Sequence, residues 1–293
     1  MLDVHASSER GGDPAAPRVH QQPHGYRQED GAPVSGTAVD YGLPPEIQVA
    51  ADGPIRIVTL NRPDALNATN HVLHEALADL FPCLDADEEA RAVVLTGAGR
   101  AFSAGGDFSY LDELTRDDAL RRQTLLAARR IVTGMVQCRL PIVAAVNGPA
   151  VGLGCSLAAL SDIVYIAESA HLADPHVMVG LVAADGGPVT WPLLTSLQLA
   201  KEYALTGERI SARRAAEIGL ANHVCADGEV MDAAMACARR LAALPRRTLE
   251  DTKRVLNLHL ERAVLATLDF ALAAEDRSFL SPELRATLDK RLR

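Results

Sequence analysis

Residues 141–160 carry no charged side chain, yet Asn147, Gly148, Pro149, Gly152 and Gly154 interrupt the middle of that run. A membrane-spanning helix needs roughly 20 consecutive apolar residues and tolerates helix breakers poorly at its centre. The run therefore divides into a buried strand, Pro141-Ile142-Val143-Ala144-Ala145-Val146, a glycine-broken turn, and a small-residue helix opening near Gly152. Backbone N–H groups at a helix start have no partner within the helix, and the helix dipole adds positive potential there. Such a turn suits an anion or a developing oxyanion. A second turn of the same character, Ala101-Phe102-Ser103-Ala104-Gly105-Gly106-Asp107-Phe108, lies upstream. Together they predict a site that works mainly through backbone donors.

The chain has 293 residues, 48% of them apolar, which is enough for one large domain or one domain with a helical appendage. A net charge of −9 without a dense Lys/Arg block excludes nucleic acid as the expected partner. Cys83, Cys138, Cys155, Cys225 and Cys237 show no metal-ligand spacing and read as reduced thiols of a cytoplasmic protein. No apolar leader segment stands in residues 1–10, so no secretory signal is expected. Residues 1–43 are rich in Gly, Pro, Ser, Gln and His without periodicity, and are expected to be a disordered or loosely attached extension.

From Glu46 the pattern changes. Ile47-Gln48-Val49 and Ile55 to Leu60 alternate around Asp52-Gly53, which predicts a hairpin. Helical spacing follows over 71–80, a buried strand at 92–97, a long helical region over 111–137 with an irregular start, and another strand at 163–166. Strand-strand-helix logic thus repeats without close sequence repeats. Beyond Pro188 the chain reads as nearly all helical: Ser211 caps a helix that ends at Gly219, residues 221–224 form a short extended piece, and amphipathic stretches cover 228–244, 247–279 and 282–292.

These motifs resemble the crotonase superfamily, the enoyl-CoA hydratase/isomerase fold. The matching segments are Leu60-Asn61-Arg62-Pro63-Asp64-Ala65-Leu66-Asn67-Ala68, the turn at 101–107, the stretch from Ala145 to Cys155, Ser161-Asp162-Ile163, and the segments at 204–212 and 216–221. The resemblance covers about residues 45–290. It implies an α/β protein with a ββα spiral core over 44–200 and a helical C-terminal region over 201–293 for oligomerisation and a lid. It also implies a homotrimer or homohexamer that binds an acyl-CoA thioester, with coenzyme A as part of the substrate and no further cofactor or metal. By the same resemblance, Asp64, Ala65 and Leu66 border the CoA adenine and pantetheine, and Ala104, Asp107 and Phe108 line the thioester channel. The two oxyanion donors fall on the N–H groups of Gly106 and Leu153. Leu153 stands where the family commonly has glycine, so its φ must stay negative.

The chain departs from the pattern at the two glutamates of hydratases, which hold water and shuttle protons. Ser156 and His176 occupy those positions. An imidazole with an ordinary pKa of about 6.5 suits taking or giving a proton at neutral pH. Asp185, in a segment that borders the acyl pocket by resemblance, could orient His176 or act as the acid itself. Ser156 reads as a small helix residue filling vacated space, with a hydrogen-bonding role as the lesser reading, and Trp191 and Leu193 as packing beneath the acyl pocket. His71 and His74 lie three apart on a helix and could meet, but no third ligand is evident. The leading expectation is an acyl-CoA enzyme that forms an enolate at the Gly106/Leu153 hole, with His176 transferring protons. Isomerisation, decarboxylation, thioester hydrolysis and modified hydration all stay open. The alternative is a non-catalytic acyl-CoA-binding protein.

Overall fold

A computed structural model describes residues 36–292 of the chain; most of the 1–43 stretch expected to be an extension lies outside them. The first strand nevertheless falls inside that stretch. Strand β1 (Thr37–Ala38) pairs antiparallel with β2 (Ile47–Asp52), Thr37 opposite Ala51. Tyr41 also donates its hydroxyl to Asp87 Oδ2 at 2.6 Å. The sheet thus begins earlier than composition suggests, because backbone pairing needs no apolar side chain.

The hairpin expected around Asp52-Gly53 joins β2 to β3 (Ile55–Leu60), with Ile47 opposite Leu60. Beyond β3 the chain enters α1 (His71–Ala86), capped by the Asn70 side chain, and returns through β4 (Ala92–Gly97), parallel to β3. The helix expected over 111–137 is two helices, α2 (Phe108–Arg116) and α3 (Asp118–Gln137). Asp117 breaks them, because its carboxylate caps α3 by accepting from Ala119 N and Leu120 N.

Two strand-strand-helix units then follow. The first is β5 (Ile142–Val146), β6 (Ala150–Val151) and α4 (Leu153–Leu160); the second is β7 (Ile163–Ala167), β8 (His171–Ala173) and α5 (His176–Val179). In each unit the first strand joins the large sheet and the second joins a small one. Helices α6 (Gly187–Leu194) and α7 (Leu197–Thr206) lead to β9 (Ile210–Ser211), α8 (Ala212–Ile218) and β10 (His223–Cys225). The large sheet has the order β1-β2-β3-β4-β5-β7-β10, and the small one β6-β8-β9. Its central strands β3, β4 and β5 are buried at every residue, as expected of parallel strands covered on both faces.

Helices α9 (Val230–Ala242), α10 (Arg246–Ser278) and α11 (Pro282–Arg291) complete the described chain. The region from 201 onward is woven into the rest of the molecule, since β9 and β10 belong to the two sheets. Helix α10 packs on α3 and α6, burying Val264, Leu268, Ala271 and Leu272. Its buried Lys253 donates to Leu140 O and pairs with Asp162, both at 2.7 Å. Among the described residues no helix is long and apolar enough to cross a membrane.

Candidate active site

Three successive turns of the spiral deliver the site. Ser103 bridges to Ala150, and Ala150 of β6 stands opposite Leu172 of β8, so three chain segments run side by side. The residues just past them are Gly105-Gly106, Gly152-Leu153 and Asp174-Pro175-His176. Phe102 N and Ser103 N both donate to Pro149 O at 3.1 Å, Val151 N donates to Ser103 O at 2.9 Å, and Gly152 N donates to Ala173 O at 2.9 Å. The two glycine turns are thereby locked to each other and to the end of β8.

Two glycines are required where these segments meet. Gly105 has φ +87, and a Cβ on it would lie 2.9 Å from Val151 O. Gly152 has φ +53 and precedes α4, so it takes the left-handed conformation and Leu153 keeps a negative φ, as the sequence requires. Leu153 is the first residue of α4, and Gly106 lies exposed beside the turn, flanked by hydrogen bonds from Thr69 N to Gly105 O and from Asp107 N to Thr69 O. Among the described residues no acceptor takes the N–H of Gly106 or of Leu153. Asn147, the other polar residue of the turn, is structural. Its Nδ2 donates to Gly97 O and Gly99 O, each at 2.9 Å, tying the turn to the end of β4.

His176 lies over the Gly152 turn: a Cβ on Gly152 would sit 3.5 Å from His176 Cε1. Its Nδ1 hydrogen-bonds to the buried Asp174, and its Nε2 lies 3.6 Å from Asp185 Oδ2. Asp185 in turn accepts a hydrogen bond from Ser156 Oγ at 2.8 Å. One carboxylate therefore touches both positions, 156 and 176, at which the resemblance implies two. Ser156 is more than a filler, since it orients Asp185. Its hydroxyl faces that carboxylate rather than His176, which is not the arrangement of an activated nucleophile.

The neighbouring charges act strongly on His176. Burial opposes a charge on its ring, but Asp174 and then Asp185 outweigh it, and the pKa is pushed up to about 10. The two carboxylates thus favour the protonated form of the ring. For Asp174, burial acts upward but is overcome by the imidazolium, so its pKa falls below the usual carboxylate range. For Asp185, burial raises the pKa against the opposing charge of His176, making it a stronger base than an exposed aspartate when ionised. Asp174, His176 and Asp185 offer ligand atoms within 4.8 Å of one another.

Sequence reading missed Asp174 and Glu275. Asp174 was visible only as a charge at the end of a buried strand. Glu275 carried a clearer signal, standing on the apolar stripe Leu268, Ala271, Leu272 at helical spacing. It is 9% exposed, and its pKa is pushed up to about 8, first by burial, with Asp185 and Asp174 adding to the shift and His176 opposing it.

The expected CoA-side residues come together in part. Pro63–Ala65 form a short 3-10 turn, after which Leu66 and Asn67 take φ of 53 and 54. Asn67 holds this strained turn, donating to Ala98 O at 2.9 Å and Ala101 O at 2.8 Å while accepting from Arg62 N at 2.8 Å. Ala104 N donates to Leu66 O at 2.9 Å, so Leu66 and Ala104 are adjacent, with Asp64 and Ala65 on the same turn. Asp107 caps α2 through Ser109 N and pairs with Arg62 at 3.3 Å, which gives it a structural role. Phe108 lies beneath Arg291, whose guanidinium is 5.6 Å from the ring centre.

One expectation is corrected. Leu193 is 51% exposed and cannot pack beneath a pocket, because α6 turns that side outward; of the pair, Trp191 is buried. His71 and His74 both face Tyr110, and His74 is buried with its pKa pushed down to about 4 by burial and by His71.

Comparison with known proteins adds to this geometry. The family model for enoyl-CoA hydratase/isomerase matches residues 51–286. The chain belongs to the enoyl-CoA hydratase/isomerase family. It is 32% identical to a probable enoyl-CoA hydratase of Rhizobium meliloti over 83% of this chain and 91% of that protein. Its match to the mitochondrial enoyl-CoA hydratase of Pongo abelii is 34% identical and covers 64% of each chain. The fold superposes on a crystal structure of an enoyl-CoA hydratase/isomerase from Mycobacterium paratuberculosis with a TM-score of 0.84 and 64% identity, covering 85% of this chain and all of that one. The crotonase-like fold implied by the motifs is thus the fold of this protein.

Proposed function

We propose that this member of the enoyl-CoA hydratase/isomerase family moves the double bond of an enoyl-CoA, rather than adding water by a two-carboxylate mechanism. The observation that carries the reading is the carboxylate of Asp185, which accepts from Ser156 Oγ at 2.8 Å and lies 3.6 Å from His176 Nε2. The thioester oxygen is received by Gly106 N–H and Leu153 N–H, which acidifies the adjacent carbon; losing one such donor typically costs about 2.7–4 kcal/mol of transition-state stabilisation. Asp185 takes a proton from Cα of a 3-enoyl thioester, and the electron pair moves onto the thioester oxygen as a dienolate. The same proton, now on Asp185, returns to Cγ as the double bond settles between Cα and Cβ.

Hydration would require a second group that gives a proton to carbon. His176, whose proton is held by Asp174 and Asp185, takes a different part. The ring instead acts as a fixed cation that supports the ionised form of Asp185 and the charge building on oxygen. Coenzyme A is part of the substrate, held by the segment from Asp64 to Leu66 and by Ala104, Asp107 and Phe108. Exposed Val255, Leu256, Leu265 and Phe270 on α10 offer apolar surface for the homotrimer or homohexamer that the family resemblance implies.

The test follows two reactions on the same chain length. Conversion of 3-enoyl-CoA to the conjugated 2-enoyl-CoA is expected to exceed hydration of 2-enoyl-CoA by about tenfold or more in kcat/KM. Faster hydration contradicts the proposal. Binding of both esters without turnover of either favours the non-catalytic acyl-CoA binder.

A further inference from the structure

Asp174 leaves the middle strand of the small sheet. Strand β8 pairs with β6 on one side and β9 on the other, with Leu172 opposite both Ala150 and Ile210. The backbone that delivers Asp174 is therefore fixed from both edges, and the residue is 2% exposed. His176, two residues on, opens a helix of only four residues in which Val177 and Met178 are exposed. So short a helix does little by itself to orient a side chain.

The Asp174 carboxylate is seated at both oxygens. Oδ1 accepts from His176 Nδ1, and Oδ2 lies against the start of α6, where a Cβ on Gly187 would come within 2.7 Å of it. A helix start favours a carboxylate, and glycine at 187 leaves room for this one. The preceding Gly186 has φ +129, and a Cβ there would lie 3.2 Å from Ser156 Cβ. The chain just past Asp185 is thus packed against Ser156 and Asp174 at once.

An imidazole turns about χ2 between two orientations that exchange its nitrogens with its carbons. A hydrogen bond at one nitrogen selects between them. With Nδ1 on Asp174, Nε2 faces Asp185 Oδ2 at 3.6 Å, and Cε1 lies 3.5 Å from the place of a Cβ on Gly152. In the flipped ring Cε1 would face Asp185 instead. We propose that Asp174 is a positioning residue: seated against Gly187, it fixes the orientation of the His176 ring and so the nitrogen that faces Asp185. The inference rests on the assignment of proton transfer to Asp185. Asp174 acts on turnover through His176.

The test makes Asp174→Ala and His176→Gln singly and together in the full chain, and measures kcat and KM with a 3-enoyl-CoA. Beside His176, Asp174→Ala should lower kcat by about tenfold or more, with KM within about twofold of wild type. Beside His176→Gln the same change should cost less than about twofold, because the ring it orients is gone. A substitution that merely loosened the fold would cost the same in both backgrounds. NMR reads the ring without turnover, and decides where His176→Gln leaves none to measure. The nuclear Overhauser contact between His176 Hε1 and the Gly152 α-protons should be clear in wild type and weaken in Asp174→Ala. Should that variant fold poorly, Gly187→Ala displaces the carboxylate while keeping every ionisable group, and the same readings are expected. Equal losses in the two backgrounds, or a Gly152 contact that survives the loss of Asp174, overturn the proposal while leaving Asp185 as the base. Full turnover in Asp185→Asn overturns it along with the reading it rests on, whatever the Asp174 variants do.

Discussion

Replacing Asp185 with asparagine is expected to lower kcat by about 10²–10⁴ while leaving KM nearly unchanged, the size of effect that follows loss of a positioned general base. The substitution is almost isosteric. The amide oxygen can still accept from Ser156 Oγ, so the α4 side of the site keeps its contact. What is lost is the charge facing His176 Nε2, on the carboxylate that lies against both Ser156 and His176. Steady-state kinetics with a 3-enoyl-CoA measures the loss, and a thioester-binding titration separates it from misfolding. Turnover within about twofold of wild type would remove Asp185 from the mechanism.

The second large effect concerns folding. Arg56 lies within β3, a strand buried at every residue, and is 3% exposed. Asp87 neutralises it through Nε at 2.7 Å and Nη2 at 3.2 Å, and also accepts from Tyr41 Oη, Glu89 N and Ala90 N. Glu89 approaches Arg56 to 3.7 Å but is largely in solvent. Asp87→Ala strands a guanidinium in the core and should cost about 3–5 kcal/mol. Converting both partners to apolar residues, Arg56→Met with Asp87→Leu, should recover most of that loss, because the cost comes from the unpaired charge rather than from the missing bridge. Denaturant unfolding measures both. A loss below about 1 kcal/mol in the single variant would mean that water reaches Arg56.

Much of this architecture was legible in the residues because it depends on local pattern. The Asp52-Gly53 hairpin and the cap at Ser211 follow from turn and cap chemistry and formed as expected. The division of residues 141–160 into strand, turn and helix likewise follows from where glycine and proline interrupt an apolar run. The site was legible only as far as single segments go. The two glycine turns could be recognised separately, but their meeting depends on the Ser103–Ala150 bridge, a contact with no local signature.

The surroundings of His176 were hidden for a related reason. An ordinary imidazole pKa assumes water around the ring, whereas Asp174 stands two residues away in sequence and Asp185 arrives from a distant loop. Glu275 comes from farther still, on a helix that reads from sequence as an appendage. Thr37 and Ala38 were hidden differently, since edge pairing through the backbone leaves little trace in composition.

The central claim is that this site forms an enolate by moving a proton at Cα. Its most direct measurement is exchange of the α-hydrogens of a saturated acyl-CoA in deuterated water, read by mass spectrometry. Saturated thioesters cannot isomerise or add water, so exchange reports the proton transfer alone. The wild type should incorporate deuterium at Cα, and Asp185→Asn should do so at least about 100-fold more slowly. A wild-type protein that binds the thioester yet exchanges no faster than the free ester in buffer would contradict the account.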